Sequence, residues 1–358
     1  MSFPSSWINP PRQPDMLCFE QAAQRQSVLT KPAGSLGRLE NVAVQLAGLQ
    51  GTNTPALERI QISIFVGDHG ICEENVSAYP QAVTAQMIGN FASGGAAISI
   101  LAKSLGAELE VVNLGTVSDN LPDLPHIIDA RIAPSTRNFT LANAMTGKQV
   151  CTALNHGDAA AQRAADSGCQ LFIGGEMGIG NTTSATAIAC ALLSKNPMQL
   201  TGPGTGLDTA GVRHKAEVII RALQRHDSDD DLGPTEVLEA LGGFEIAALA
   251  GAIAGCAARS IPVLVDGFIV SVAALIAVNQ QPEIRPWLLF AHRSAEPGHQ
   301  AVLTALNAEP LLDLSMCLGE GTGAAIAVPL LRLACQLHNN MASFADAGVS
   351  TREDIVNG

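Results

Sequence analysis

The chain has 358 residues, of which 47% are hydrophobic and only 4% aromatic. This size permits one large domain with a smaller one, and the composition predicts a core built mainly of aliphatic side chains. The formal net charge of −13 at pH 7 repels phosphate backbones and anionic lipid, so we expect neither nucleic acid nor a membrane surface as a partner. An anionic small ligand is compatible with this charge, because a local site can be positive within an acidic protein.

Residues 15–50 predict two helices separated by the segment KPAGS at residues 31–35. A further helix is predicted over residues 324–341, and the tail after Gly348 is polar. We expect these terminal helices to pack together as a small helical domain made of residues 1–55 and 330–358. Residues 56–329 would then form the large domain.

The middle of the chain repeats one pattern, in which a short apolar strand leads to a glycine or an acidic residue and then to a helix. Such alternation is typical of a parallel sheet with helices on both faces, a Rossmann-like α/β fold. The predicted strands are residues 60–66, 109–114, 170–173, 261–265, 287–291 and 311–318. The acidic stretch at residues 226–233 is predicted to be an exposed loop rather than a metal site.

The apolar run at residues 261–278 is long enough to suggest a membrane span. Asp266 and Gly267 interrupt it, and an Asp at mid-membrane costs about 2.5–3.5 kcal/mol. We therefore expect a buried strand that turns into a buried helix, and no membrane insertion. The N-terminus lacks the apolar stretch of a signal peptide, and the eight cysteines include no C-x-x-C pair, so we expect reduced, buried thiols in a cytoplasmic protein.

Ligands of parallel sheets bind beyond the carboxyl ends of the strands. The sequence places charged residues directly after the predicted strands, at positions where glycines would let the backbone approach a ligand. These residues are Asp68, Glu176, Asp266, Arg293, Glu296 and Glu320.

The segment GGEMGIGNTTSAT at residues 174–186 combines a glycine-rich turn with a helix start rich in hydroxyl groups. Free N–H groups at a helix N-terminus suit a phosphate or a carboxylate. The segment lacks the Lys of a P-loop and the G-x-G-x-x-G spacing of a dinucleotide site. A helix capped after a flexible turn explains it equally well.

A second glycine-rich segment, TGPGTGLD at residues 201–208, precedes Lys215. That lysine would meet a phosphate or a carboxylate if it faced the loop, whereas the commoner fate of a lysine is the exposed surface of a helix.

Glu320 lies between glycines in the segment LGEGTG at residues 318–323. In an apolar pocket its pKa would rise, and it could accept a proton near neutral pH. The alternative is an acid that merely favours a helix N-terminus. The spacing of His69, His292 and His299 does not match a metal site, and the chain lacks the G-x-S-x-G elbow of a serine hydrolase. We expect His69 and His292 in turns or behind the site.

Taken together, these segments resemble the nicotinate-nucleotide:dimethylbenzimidazole phosphoribosyltransferase family of cobalamin synthesis. Ten segments carry the resemblance over nearly the whole chain, with Ala33 as a departure where a second proline is expected. They are KPAGSLGRLE (31–40), GDHGI (67–71), YPQAVTAQM (79–87), GGAAI (94–98), GGEMGIGNTTSATAI (174–188), TGPGTGLD (201–208), GGFEIAALAGA (242–252), VDGFI (265–269), AHRSAEPGH (291–299) and LGEGTGAA (318–325).

The resemblance implies conversion of nicotinate mononucleotide and 5,6-dimethylbenzimidazole to α-ribazole 5′-phosphate and nicotinate, by a homodimer without a metal or other cofactor. It implies that Glu320 is the catalytic base. It further implies a set of residues that bind phosphate, ribose and nicotinate, and a second set that binds the benzimidazole. The first set is Gly175, Glu176, Met177, Gly178, Ile179, Gly180, Asn181, Thr182, Gly202, Thr205, Gly206, Lys215, Asp266 and Ser294; the second is Ser77, Tyr79, Pro80, Gln86, Met87 and Leu318.

Two other functions stay open at this point. A nucleosidase would hydrolyse the nucleotide with water in place of the benzimidazole. A non-catalytic sensor would bind nucleotides or benzimidazoles, although Glu320 and the two glycine-rich segments favour an enzyme.

Overall fold

The computed structural model describes residues 2–118, 126–226 and 232–350. Within these ranges, six parallel strands form one sheet in the order β3-β2-β1-β4-β5-β6. The strands are β1 Ile60–Gly67, β2 Glu108–Gly115, β3 Ile127–Asp129, β4 Leu171–Met177, β5 Val263–Val265 and β6 Leu288–Phe290. The chain builds outward from β1 to β3 and then returns to β4, so the strand order reverses between β1 and β4. Such a reversal opens a crevice at the carboxyl ends of the two strands.

The helices, with their bounds, are α1 Ser5–Ile8, α2 Met16–Val28, α3 Arg38–Gln50, α4 Ala82–Ser93, α5 Ala97–Leu105, α6 Gly147–Asp166, α7 Asn181–Leu193, α8 Pro197–Leu200, α9 Thr209–Arg225, α10 Pro234–Leu241, α11 Phe244–Ala258, α12 Phe268–Gln280, α13 His299–Ala305, α14 Thr322–Asn340 and α15 Phe344–Ala347. Short 3-10 helices occupy Gly70–Glu74 and Pro282–Trp287.

Helices cover both faces of the sheet, as two neighbouring glycines of β4 show. A Cβ on Gly174 would meet Leu249 of α11, whereas a Cβ on Gly175 would meet the Glu320 backbone just before α14. Because successive residues of a strand point to opposite faces, α11 and the start of α14 lie on opposite sides of the sheet. The predicted α/β architecture is confirmed.

Two central helices are apolar around their whole circumference. Almost every residue of α11 and α12 is buried, which is the environment that such helices require. The predicted strand-to-helix turn at residues 261–278 is confirmed as β5 followed by α12. Among the described residues, no helix is both long and apolar enough to cross a membrane.

The prediction of a strand at residues 311–318 was wrong. Apart from one bridge between Leu312 and His292, this segment forms no ladder in the described structure. Leu314 and Leu318 are 58% and 61% exposed, and Ser315 has a left-handed φ of 55°, which breaks an extended path. The sixth strand is instead β3, a three-residue edge strand that is only partly buried and carried no recognisable pattern.

The two helices predicted within residues 15–50 and the helix predicted at residues 324–341 are confirmed as α2, α3 and α14. Arg25 of α2 donates to the backbone carbonyls of His338, Asn339 and Met341 at 2.7–3.1 Å. Side chains of α3 belong to the main core of the sheet. The separate helical domain of residues 1–55 and 330–358 stays a prediction, and its residues 351–358 lie outside the described ranges, as do residues 227–231 of the acidic stretch.

Candidate active site

A cavity of about 260 Å³ opens beyond the carboxyl ends of β4, β5 and β6. Residues at the ends of these strands or in the loops after them form its polar wall. Residues at the start of α12 and in two flanking loops form its apolar wall. The lining residues are Tyr79, Glu176, Met177, Gly178, Ile179, Asn181, Thr182, Gly204, Thr205, Asp266, Gly267, Phe268, Ile269, Val270, His292, Ser294, Glu296, Cys317, Leu318, Gly319 and Glu320.

Glu320 is a buried acid inside this cavity. Its side chain is only 6% exposed, and its Oε2 atom contacts no hydrogen-bond partner among the described residues. Burial, and to a smaller extent the charge of Asp266, raises the pKa of the carboxyl group to about 7. A carboxyl group with this pKa can accept a proton near neutral pH, which is the property of a general base.

The Glu320 backbone fits closely onto strand β4. Its φ is 62°, and a Cβ on Gly175 would come within 2.6 Å of the Glu320 carbonyl carbon and oxygen. Only a glycine in β4 therefore permits the loop before α14 to approach the sheet so closely. A glycine that the sequence suggested as part of a flexible turn is thus a regular strand residue.

Glu176 faces Glu320 from the end of β4. Asn181 donates to its Oε2 atom, and the Glu320 backbone N–H is also directed at the carboxyl group. Burial, together with the charges of Glu245, Asp266 and Glu320, holds the pKa of Glu176 well above its usual range. The protonated form of Glu176 relieves the repulsion that several buried carboxylates would otherwise create.

Asp266 follows β5 and lies against the first turn of α14. Its Oδ1 atom accepts the Ala324 N–H at 2.7 Å and lies 3.6 Å from Nε2 of His292. Its Oδ2 atom is buried without a hydrogen-bond partner among the described residues. Burial raises the pKa of Asp266, while His292 and neighbouring N–H groups act in the opposite direction.

The N-terminus of α7 forms another side of the cavity. Gly180 precedes it with a φ of 96°, and among the described residues no side chain caps this helix start. Behind it, Lys215 is fully buried on α9, where Nζ donates to Thr182 Oγ1 at 2.8 Å and to the Gly202 carbonyl at 3.4 Å. Burial lowers the pKa of Lys215 to about 8, although the charge of Glu296 opposes this. Helix dipole and lysine together form a positive end that suits an anion.

The three histidines considered in the sequence have buried polar partners. Nε2 of His69 lies 2.7 Å from Glu245 Oε1, beneath the turn that leads into α7. Nδ1 of His299 accepts the Ser294 N–H at 2.8 Å, so its Nε2 carries the proton that faces Ser271 Oγ at 3.0 Å. Burial lowers the pKa of His299 to about 3, which keeps this ring neutral.

Comparison with known proteins agrees with this geometry. A family model described as a phosphoribosyltransferase matches residues 12–349. The nicotinate-nucleotide–dimethylbenzimidazole phosphoribosyltransferase of Pseudomonas putida strain GB-1 is 61% identical over 334 residues, which are 93% of this chain and 95% of that protein. The protein of the same name from Pseudomonas fluorescens strain Pf-5 is 59% identical over 97% of this chain and 99% of its own length.

The crystal structure of CobT from Thermus thermophilus superimposes with a TM-score of 0.89 at 44% identity, over 93% of this chain and 99% of that chain. The chain belongs to the nicotinate-nucleotide–dimethylbenzimidazole phosphoribosyltransferase family. The family resemblance inferred from the sequence segments is confirmed, and six of the ten segments that carried it contribute lining residues to the cavity.

Many residues expected from the family resemblance line the cavity. They are Tyr79, Glu176, Met177, Gly178, Ile179, Asn181, Thr182, Thr205, Asp266, Ser294, Leu318 and Glu320. Others lie beside or behind these residues: Gly175, Gly180 and Lys215 as described, and Ser77, whose Oγ lies 3.0 Å from Thr205 Oγ1. Gly202 packs against Glu296, and Gly206 follows Thr205 in the same loop.

Three expected residues stand further from the cavity wall. Pro80 and Gln86 are exposed, and Met87 is half-buried in the first turns of α4. Their proposed contact with a benzimidazole stays a prediction.

Several lining residues were missed by the sequence analysis as site residues. Phe268, Ile269 and Val270 form the start of α12, and the first two belong to the family segment VDGFI, which was the available signal. His292 was expected in a turn or behind the site, and it lines the cavity beside Asp266. Cys317 is exposed at the cavity, which corrects the expectation that the cysteines are buried.

Proposed function

We propose that this chain transfers the phosphoribosyl group of nicotinate mononucleotide to 5,6-dimethylbenzimidazole, giving α-ribazole 5′-phosphate and nicotinate for the lower ligand of cobalamin. Family membership over nearly the full length supports this reaction. The observation that carries the proposal is Glu320, a buried carboxyl group inside the cavity with a pKa of about 7, whose Oε2 atom has no hydrogen-bond partner in the described parts of the chain.

The reaction exchanges one nitrogen for another at the ribose C1′ atom. The unprotonated nitrogen of the benzimidazole forms the new bond with its lone pair, while the C1′–nitrogen bond of the pyridinium breaks. The electron pair of that bond discharges the cationic ring nitrogen of nicotinate. Glu320 takes the N–H proton of the benzimidazole, so that the product is not left with an extra positive charge. Attack opposite the leaving group inverts the anomeric carbon from β to α.

The positive end of the cavity suits the 5′-phosphate. The N-terminus of α7, with Asn181 and Thr182, offers helix N–H and hydroxyl groups. Thr205 adds a hydroxyl group from the facing loop, in which the Gly204 N–H donates to Glu296 Oε1 at 3.1 Å. Lys215 supports this end from behind through Thr182. Fixing the phosphate there would hold the ribose in position for the attack.

The opposite side of the cavity suits a flat apolar acceptor. Phe268, Ile269 and Val270 contribute apolar surface, and the exposed side chains of Tyr79 and Leu318 stand at the same cavity. We place the benzimidazole against this surface, with its N–H group toward Glu320. Ser77, Pro80, Gln86 and Met87 would contribute from the loop and helix beside Tyr79.

We further propose that the protein works as a homodimer in the cytoplasm and uses no metal or other cofactor. Departure of the pyridinium neutralises its own charge, so the chemistry does not require a metal to stabilise the leaving group. Chelation with EDTA is therefore expected to leave the rate unchanged.

The direct test is incubation of the purified protein with nicotinate mononucleotide and dimethylbenzimidazole, with products identified by mass spectrometry and their anomeric configuration by NMR. The expected products are nicotinate and the α-anomer of ribazole phosphate. A parallel reaction without dimethylbenzimidazole should release no nicotinate. Release of nicotinate with ribose 5-phosphate in that reaction would identify a nucleosidase instead, and calorimetric binding without any turnover would identify a sensor.

A further inference from the structure

The beginning of helix α14 is bound by a carboxylate from another part of the chain. Asp266, after β5, accepts the N–H of Ala324 in the first turn of α14 at 2.7 Å. The N–H groups of Gly267 and Gly321 are also directed at this carboxylate. A helix N-terminus has unpaired N–H groups and a positive partial charge, so an acceptor here stabilises the first turn. Asp266 thus acts as an N-cap supplied from outside the helix.

His292, after β6, encloses this contact. Its ring is 3% exposed, and its Nε2 atom lies 3.6 Å from Asp266 Oδ1. A Cβ on Gly323 would collide with the ring, and a Cβ on Gly267 would come within 3.1 Å of Nε2. The imidazole fits between the loop after β5 and the start of α14 because Gly267 in that loop and Gly323 in the helix have no side chain. These contacts join the ends of two strands to the start of the helix.

Glu320 depends on where that helix begins. It stands two residues before α14 and has the left-handed φ of 62°, which is uncommon for a residue other than glycine. Such a conformation persists only where the surrounding structure determines it. The helix side of this loop is held by the cap at Ala324 and by Thr322, whose Oγ1 donates to the Gly319 carbonyl at 2.7 Å. Gly175 of β4 supports the sheet side.

We propose that Asp266, held in place by His292, is a positioning residue that fixes the start of α14 and thereby sets the place and charge environment of Glu320. The consequence for turnover rests on the proposed function, whereas the cap itself can be measured without substrate. The titratable residues that line the cavity together with Glu320 are Asp266 after β5, Glu176 on β4, His292 and Glu296 after β6, Tyr79, and Cys317 in the segment before Glu320. Asp266 is the one of these whose charge raises the pKa of Glu320.

The experiment compares Asp266→Asn, which keeps an oxygen acceptor and removes the charge, with Asp266→Ala, which removes both. Asp158→Asn is the control. Asp158 is a partly buried acid whose Oδ1 atom lies 2.8 Å from the Arg259 guanidinium, and it does not line the cavity. Hydrogen exchange of a peptide spanning residues 319–330 measures the cap in the substrate-free protein. Steady-state kinetics of the phosphoribosyl transfer at pH 5.5–8.5 measure its consequence.

In Asp266→Ala, exchange in this peptide should be faster by about three- to thirty-fold, as expected for loss of an N-cap. Its kcat should fall by about 100-fold, because a small displacement of a catalytic group has an effect of this size. Asp266→Asn should keep the exchange protection and lose less than about ten-fold in kcat. The acidic limb of its pH profile should move to lower pH, because the carboxylate that repels ionised Glu320 is gone. Asp158→Asn should change neither readout.

Unchanged exchange in Asp266→Ala overturns the proposal whether or not the protein catalyses the expected reaction. The proposal also fails if Asp266→Asn shows the wild-type acidic limb, or if both variants raise KM for nicotinate mononucleotide equally with kcat unchanged, since Asp266 would then only bind substrate. If Asp266→Ala does not fold, His292→Ala takes its place and should show faster exchange in the same peptide. Unchanged exchange there contradicts the proposal in the same way. A wild-type protein that shows the cap by exchange but forms no ribazole phosphate refutes the proposed function alone.

Discussion

Replacing Glu320 by Gln should remove most turnover and yet stabilise the protein at high pH. The carboxyl group is buried, and burial with the charge of Asp266 raises its pKa from 4.5 to about 7. The folded state therefore binds this proton more tightly than the unfolded state. The resulting stabilisation is fully present below about pH 4.5 and is lost as the pH rises through about 7. Gln carries no ionisable proton, so the variant does not show this loss.

The size of the effect follows from the two pKa values. They differ by about 2.5, and each pKa unit corresponds to about 1.36 kcal/mol, so ionisation of Glu320 costs the wild type about 3 kcal/mol by pH 8. A chain of 358 residues has an unfolding entropy of about 0.75 kcal/mol/K near its melting temperature. The difference in Tm between the Glu320→Gln variant and the wild type should therefore increase by about 4 °C, in favour of the variant, from pH 4 to pH 8.

The assay is thermal unfolding of wild type and Glu320→Gln across pH 4–8, with kcat measured on the same preparations. Turnover of the variant should fall by about 10²- to 10⁴-fold, which is the usual contribution of a general base. Glu20→Gln, on the exposed side of α2, is the matched control, and its Tm at each pH and its kcat should equal those of the wild type. A Tm difference between Glu320→Gln and wild type that does not change with pH would refute the buried, raised-pKa carboxyl group.

Other predictions concern the cation, the close approach at the sheet and the terminal helices. Because burial lowers the pKa of Lys215 to about 8, kcat/KM of the wild type should fall above that pH. The Lys215→Met variant should lose this basic limb of the pH profile, and its KM for nicotinate mononucleotide should rise about 10- to 100-fold. A basic limb retained in the variant would contradict the assignment. Gly175→Ala should lower kcat at least about ten-fold because its Cβ would lie 2.6 Å from the Glu320 backbone, whereas Gly106→Ala, whose Cβ meets open space, should keep wild-type kcat at a stability cost of about 1 kcal/mol from its positive φ. Arg25→Ala should lower stability by about 1–3 kcal/mol with unchanged kcat, measured by denaturation and steady-state kinetics; unchanged stability would show that its three carbonyl contacts do not hold the terminal helices.

The fold was largely predictable because strands β1, β2 and β4–β6 are short, mostly apolar segments, and most of them end at or directly before a glycine or an acidic residue. The prediction failed at residues 311–318, where leucines that look like a buried strand are partly or largely exposed. It also missed β3, whose two half-buried residues and one exposed residue have no periodicity that local reasoning could detect.

The candidate site was predictable where chemistry and sequence coincide. The end of β4 placed Glu176 at the cavity, whereas Glu320 was indicated by the glycines around it and by the family resemblance, since the strand expected before it is not formed in the described structure. The site was not predictable where tertiary contacts determine the role of a residue. For Lys215 the sequence favoured the exposed surface of a helix, and only the packing of α9 behind α7 buries it at Thr182. The contact of His292 with Asp266 joins loops after two different strands, and no spacing along the chain indicates it.

The most direct test of the account is a crystal structure of the protein with α-ribazole 5′-phosphate bound. We expect the benzimidazole nitrogen that is not bonded to ribose within hydrogen-bond distance of the Glu320 carboxyl group, and the phosphate at the N-terminus of α7 beside Thr182. A product bound with its base directed away from Glu320, or with its phosphate at another part of the protein, would contradict it.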